Sequence, residues 1–442
     1  MLVYNLRLAI LSIRQHPVLS LLMIAAIGVG IAACITMLNV YYLSAKNPIP
    51  EKSDIVFAVQ IDNLPLGSDD DVDNLGNPPE QITYTDAINL LESDLPSRQA
   101  AMFKSAFAVQ PKNNSVAPFL SVSRMTGGDF FDMIDVPFLY GGAWSAEDDA
   151  LMAQVVVLNR ATNDRLFGGE DSTGQTVTMD DREFKVVGVI DYWQPSPKFY
   201  DVTNGPFNDI EDMFMPFSLV WPLQLDVEGN TNCNGDTSSI DSFEAFMASE
   251  CRWISYWVEF ETTADAEGYR DYIQNYIGTQ KNLGRFERPV NFSVLNVYDY
   301  LINQEIVDDS IKIMVALSFL FLIVCLLNTI GLMLAKLLAR SSQIALRRAL
   351  GASRVALVKQ YTIEIMLIGL LGGVIGIVLS MLGLQAIRIL MHANSADAML
   401  FKMNWVMVIT AIAISLLASL IAGLYPAIRV SGLAPAASLK TQ

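Results

Sequence analysis

The 442 residues carry 29 Lys+Arg against 46 Asp+Glu, a formal net charge of −17, and 52% of them are hydrophobic. A chain this acidic argues against a nucleic-acid partner, whose phosphates need Lys and Arg to neutralise them. Two histidines, His16 and His392, far apart in the chain, argue equally against a His-built metal cluster or a Ser-His-Asp triad.

In chain order, residues 1–17 predict an amphipathic helix at an inner membrane surface, with Val3, Leu6, Ile10 and Ile13 on one side and Arg7 and Arg14 free to meet headgroups. Pro17 then turns the chain. Four uncharged runs stand out: Val18–Tyr42, Ile313–Ala335, Ile365–Ile387 and Met403–Ile428. A helix rising 1.5 Å per residue needs about 20 residues to cross a ~30 Å hydrocarbon core. The chain therefore reads as an integral membrane protein with spans over 18–45, 310–337, 359–390 and 403–429, a short outer loop at 391–402 and a tail at 430–442.

Charge sets the orientation. Lys336, Arg340, Arg347, Arg348, Arg354 and Lys359 lie between the second and third runs with no acid among them, and Arg7, Arg14, Arg429 and Lys440 flank the termini. Short Lys/Arg-rich loops stay cytoplasmic, so both termini and the 338–358 segment are expected inside and the long 46–309 segment outside. The charge sum agrees. Residues 18–309 hold 16 Lys+Arg and 44 Asp+Glu (16 − 44 = −28), which leaves +11 for the rest of a −17 chain.

Within 46–309 the pattern is a compact α/β mixture. "DIVFAVQI" (54–61) reads as strand, "TYTDAINLLES" (83–93) as a Thr-capped helix and "MFKSAFAVQ" (102–110) as strand. "FLSVSRMT" comes next as strand, "GGDFFDMI" as a short helix, "AQVVVLN" as strand, "RATNDRLFG" as a helix with a C-terminal glycine and "GQTVTMDDREFKVVGVI" as a hairpin. Gln194–Glu250, rich in Pro, Asn, Asp and Gly, is expected to be irregular surface. "WISYWVEFET" (253–262) and "VNFSVLNV" (290–297) then return as strands around a helix. Two subdomains are expected, one built from both ends of the segment (about 46–112 and 253–305) and one from its middle (about 113–252). Cys233 and Cys251 fall in a loop-like stretch of the exported part, where a disulfide is permitted and worth about 3 kcal/mol. Cys34 and Cys325 lie within spans and read as packing groups. "GSDDDVDNLGN" (67–77) lacks the spaced ligands and closing Glu of a calcium loop.

These stretches resemble a family. "NLRLAILSIRQHPVLSLLMIAAIGVGIAA" (5–33), "GGDFFDMIDVPFLYGGAWSAEDD" (127–149), "VVVLNRATNDRLFGGEDSTGQTVTMDDREFKVVGVI" (155–190), "NTIGLMLAKLLARSSQIALRRALGASR" (328–354) and "QYTIEIMLIGLLGGVIGI" (360–377) are similar to the MacB/FtsX-type ABC transporter permeases. The resemblance implies a dimeric permease of the bacterial inner membrane, a membrane α+β fold with four transmembrane helices and a Porter/Sabre-divided periplasmic domain between the first two. It also implies mechanotransmission: ATP hydrolysis in the cytoplasm moves the periplasmic domain, and no substrate passes through the bilayer. The expected cargo is an antimicrobial peptide, macrolide, toxin or similar, exported through a periplasmic adaptor and an outer-membrane channel. Lipoprotein-release permeases and FtsX-type activators of wall hydrolases share the four-span plan and stay open as alternatives.

One departure matters. No G-x-x-x-x-G-K-[ST] phosphate loop occurs in the sequence, so no ATP or Mg²⁺ is expected on this chain, and a separate cytoplasmic ATPase is the expected partner, together with a second permease, identical or related. By the resemblance, "SSQIALRRALGASR" (341–354) is the coupling helix that docks on that ATPase, with Gln343, Ile344, Leu346, Arg347, Arg348, Leu350, Gly351 and Arg354 as its contacts. Gln343 stands where the family often has Glu. Ile344, Leu346, Ala349 and Leu350 are expected on its packed side, Gly351 at its end and Ser353 as a cap for the next segment. Asn328 is polar at depth in the second span and suits a hydrogen bond, either within the chain or across a dimer. Gly369, Gly373 and Gly376, with Gly372, allow close helix packing within a protomer or between two. Glu364, at the inner edge of the third span, either pairs with a coupling-helix arginine or snorkels.

Overall fold

The computed structural model describes residues 2–66, 76–112, 116–233, 237–238, 240–306, 309–390 and 405–431. The expected outer loop, most of the tail, His392 and most of the acidic 67–77 stretch lie outside these residues. Contacts divide the chain into two compact units, Lys46–Ile306 and the remainder, Met1–Ala45 with Val307–Gln442.

The chain begins with α1 (Leu2–Gln15) and α2 (Pro17–Ala45). The mixed unit opens with β1 (Val56–Ile61), β2 (Ile82–Thr83), α3 (Tyr84–Leu91), β3 (Arg98–Gln110), β4 (Phe119–Thr126), α4 (Asp129–Met133), β5 (Phe138–Gly141) and α5 (Ala146–Ala150). It continues with β6 (Val155–Leu158), α6 (Arg160–Phe167), β7 (Thr176–Met179), β8 (Arg182–Ile190), β9 (Met213–Pro216), α7 (Val220–Leu223) and α8 (Phe243–Met247). β10 (Arg252–Glu259), α9 (Asp265–Asn282), β11 (Phe292–Asn296) and α10 (Val297–Asn303) complete it. The last elements are α11 (Asp309–Leu338), α12 (Ser341–Ala349), α13 (Arg354–Leu390) and α14 (Trp405–Ser431).

Local chemistry explains many boundaries. The Thr83 hydroxyl accepts from the Asp86 amide at the start of α3, and Asn159 accepts from the Thr162 amide at the start of α6. α6 stops at Gly168, whose φ of 70° favours a residue without Cβ. Asp180 and Asp181, at φ 46° and 62°, make the two-residue turn between β7 and β8.

The strands form one 11-stranded sheet in the order β11-β1-β10-β3-β4-β9-β6-β8-β5, with β2 paired to β10 and β7 to β3 and β8. Strands from the two expected subdomains occupy opposite ends of this sheet. They meet at β3, whose Arg98–Met102 pairs with β10 while Phe103–Val109 pairs with β4. Two apolar clusters cover the sheet, and each draws residues from both parts: one contains Trp253, Phe103, Phe184 and Tyr269, the other Trp257, Phe130, Phe131 and Phe214.

The structure corrects part of the sequence reading. The stretch expected to be irregular contains β9, which is fully buried and lies between β4 and β6. Its partners are distant in sequence, so no hairpin pattern marks it. β5 and α10 were also not expected. In the helical unit, α13 begins at Arg354 rather than near 359. α1 keeps the expected apolar side exposed at Leu6 and Ile10 and packs through Ala9 and Ser12.

Four helices among the described residues are long and apolar enough to cross a membrane: Pro17–Ala45, Asp309–Leu338, Arg354–Ala386 and Trp405–Arg429, with mean hydropathy from 2.5 to 2.7. α2 is the central one. Its Ile27, Ile31, Cys34 and Ile35 are wholly buried against the others.

Candidate functional site

The candidate site lies at the end of the helical unit where α12 joins α11 to α13. α12 is a nine-residue helix between two long ones. It ends where Gly351 takes a φ of 101°, a left-handed turn suited to glycine, and the Ser353 hydroxyl then accepts from the Ala356 amide to start α13. α12 does not pack as its spacing predicts. Ile344 and Ala345 are buried at 3% exposure, whereas Leu346 and Leu350 are 55% and 79% exposed. A short helix is rotated by whatever anchors it, and the anchor here is Ile344, packed into the cluster that holds Met333, Leu337, Leu357 and Tyr361. The outward face therefore presents Gln343, Leu346, Arg347 and Leu350, with Arg354 exposed just beyond it. Arg347 donates to Gln360 Oε1 at 3.2 Å, which holds its guanidinium near the base of α13.

Beneath α12 lies an ion pair that the sequence reading did not identify. Lys336 Nζ on α11 meets Glu364 Oε1 on α13 at 2.6 Å, with both side chains 1% exposed. Lys336 also donates to Ser20 Oγ on α2 at 3.0 Å. Ser12 on α1 donates to Glu364 Oε1 at 2.5 Å and accepts from Arg340 at 2.6 Å, and Arg340 donates again to Gln15 at 2.7 Å. Charges this buried persist when paired and hydrogen-bonded on every side. Four helices are thus fastened together, at the end of α11 that leads into α12 and ten residues into α13. Glu364 neither reaches a coupling-helix arginine nor snorkels. The available signal was the opposite charges at the inner edges of two apolar runs.

The other expected positions are placed as follows. Gly369 and Gly373 face Ser415 and Ser419 of α14, and Gly372 and Gly376 face Ile27 and Ile31 of α2. These glycines serve packing within the protomer. A Cβ on Gly376 would come 2.8 Å from the Ile31 side chain and 3.0 Å from the Gly28 carbonyl oxygen. Asn328 is exposed on α11, on the same helix as exposed Ile323, Val324 and Leu327. Cys34 donates to the Ser318 carbonyl at 3.2 Å, and Cys34 and Cys325 are both buried free thiols. In the mixed unit Cys233 and Cys251 form a disulfide, beside a two-bond bridge between Asn232 and Arg252 at 2.9 Å each.

The mixed unit also holds a charged core. Arg124 on β4 contacts Asp201 and Glu211, Lys198 lies 3.1 Å from Glu211 and 3.5 Å from Asp201, and Lys104 lies 3.8 Å from Asp201. Burial alone would raise the Glu211 carboxyl, but Arg124 and Lys198 outweigh it and hold the group well below the usual carboxylate range. Burial lowers Lys104.

This architecture defines a polytopic membrane protein that carries a large α/β domain between its first two spans. Sequence comparison fixes the family. The MacB-like periplasmic core domain matches residues 20–276 and the FtsX-like permease C-terminal domain matches 315–435; the chain belongs to the MacB/FtsX-type ABC transporter permeases. The ABC transporter permease YvrN of Bacillus subtilis, itself described as uncharacterized, is 22% identical over 99% of both chains. The macrolide export ATP-binding/permease protein MacB of Aggregatibacter actinomycetemcomitans is 24% identical over 58% of this chain and 34% of its own. MacB of Neisseria meningitidis serogroup A is 22% identical over 85% of this chain and 52% of its own. The chain thus spans about a third to a half of these MacB proteins. Among solved structures, the periplasmic region of MacB from Actinobacillus actinomycetemcomitans aligns at TM-score 0.36 and 16% identity, over 59% of this chain and 96% of that one. The extracellular domain of the transporter YknZ aligns at TM-score 0.33 and 12% identity, over 55% of this chain and all of that one.

Proposed function

We propose that this permease works as a transmission. A separate cytoplasmic ATPase, which holds the ATP and Mg²⁺, docks on the outward face of α12, and its stroke passes through α11 and α13 to the MacB-like domain. The observation that carries this reading is the exposed Leu346–Arg347–Leu350 face, mounted between two long helices that the Lys336–Glu364 pair ties to each other. An apolar and cationic face of this kind suits a protein groove with acidic walls. In this reading both termini and α12 are cytoplasmic, residues 46–306 are periplasmic, and the membrane is the bacterial inner one, in accord with the distribution of Lys and Arg. The working unit is a dimer with a second permease. Export of periplasmic substrates through an adaptor and an outer-membrane channel is the activity that the likeness to MacB favours.

The test is an Arg347→Glu/Arg348→Glu variant. It is expected to insert and fold as wild type does while losing co-purification of the ATPase. Undiminished assembly and export by that variant would refute the reading.

A further inference from the structure

In the mixed unit, α3, β3, the start of α4, the α5 region and Phe217–Trp221 surround an open cleft of about 600 Å³, a volume typical of ligand sites. Its walls are aromatic. The Tyr84 ring lies 6.1 Å from Phe217 and 6.2 Å from Trp221, and Trp221 Nε1 donates to the Tyr84 hydroxyl at 2.6 Å. Trp221 is 41% exposed, so an indole surface is open to solvent. Three carboxylates complete the lining: Asp129 and Asp132, both exposed, and Asp149. Asp149 Oδ2 accepts from Trp144 Nε1 at 2.9 Å and from the Gly128 amide at 3.2 Å, and Oδ1 accepts from Ser218 at 3.3 Å. Among the described residues the lining contains no Lys, Arg or His. Arg98, the nearby cation, is paired with Glu259 at 2.9 Å. Lys52 is likewise engaged, with Asp135 at 3.0 Å and Glu259 at 3.2 Å.

Acidic groups beside open aromatic rings select a cation on an apolar body, because the rings attract positive charge on their faces and accept apolar side chains. We propose that this cleft binds a cationic amphipathic peptide, with an apolar side chain against Tyr84, Phe217 and Trp221 and an ammonium or guanidinium group toward Asp129, Asp132 and Asp149. The cleft is open to solvent, which leaves room for the flanking peptide to run on beyond it. The proposal goes beyond the coupling role of α12 and does not depend on it, since binding needs neither nucleotide nor ATPase.

Isothermal titration of the full chain in zwitterionic nanodiscs, with empty nanodiscs subtracted, tests it. The probe is a short peptide alternating lysine and phenylalanine, and the control replaces each lysine by glutamate. The lysine peptide is expected to bind saturably and the glutamate peptide not to bind. Trp221→Ala and the exposed pair Asp129→Asn/Asp132→Asn should each weaken binding by roughly tenfold or more, with unchanged far-UV circular dichroism and unfolding midpoint. No binding above empty discs, equal binding of the glutamate peptide, or wild-type affinity in both variants would overturn the proposal.

Discussion

Lys336 and Glu364 are the residues on which the helical unit turns. Each is 1% exposed, and each would be a buried, uncompensated charge without the other. Lys336→Met alone is therefore expected to lower stability by about 3–5 kcal/mol, whereas Lys336→Met/Glu364→Met should return close to wild type, because replacing both charges avoids the desolvation cost. Thermal unfolding of the detergent-solubilised variants reads the difference. A single mutant as stable as wild type would show that the pair is not isolated from water. This pair was hard to read in the sequence for a definite reason. Both charges were visible at span edges, but their 28-residue separation passes through α12, whose path decides whether they meet.

At the scale of elements, α13 is held on two sides by its glycines, with Gly369 and Gly373 toward α14 and Gly372 and Gly376 toward α2. Gly376→Ile should force α2 and α13 apart and cost about 1–3 kcal/mol from overpacking. Gly331→Ile on α11, where an added Cβ meets nothing within 4 Å, is the matched control. Unfolding midpoints that fall equally in both variants would contradict this assignment. The spans themselves were legible because a run of more than twenty uncharged residues is rare outside a membrane-crossing helix. The rotation of α12 was not, since nine residues fix a helix but not which side of it is anchored. β9 was hidden for a related reason. "MFMP" carries no alternation and sits among turn-forming residues, and only its pairing with β4 and β6 makes it a strand.

At the scale of the molecule, the mixed unit combines an acidic surface with a buried cluster of charges of both signs. Lys104, Arg124 and Lys198 face Asp201 and Glu211, and burial lowers the pKa of Lys104. Glu211 titrates below its ordinary 4.5 in the folded chain. The stability it contributes is present above that ordinary value and is lost as pH falls below it. Glu211→Gln should cost roughly 3 kcal/mol or more near neutrality and flatten the acid limb of the unfolding curve, read by near-UV circular dichroism against pH. An unchanged limb would assign acid sensitivity to the surface carboxylates instead.

β3 gives this unit its mechanical character. A single strand of 13 residues belongs to the ladders of both halves, so a pull applied at β11 travels to β5 through peptide bonds and strand pairing instead of across a greased joint. Such a plate resists hinging and yields by torsion. Any opening and closing at its far edge is then a change in the pitch of one sheet, shared among all its strands.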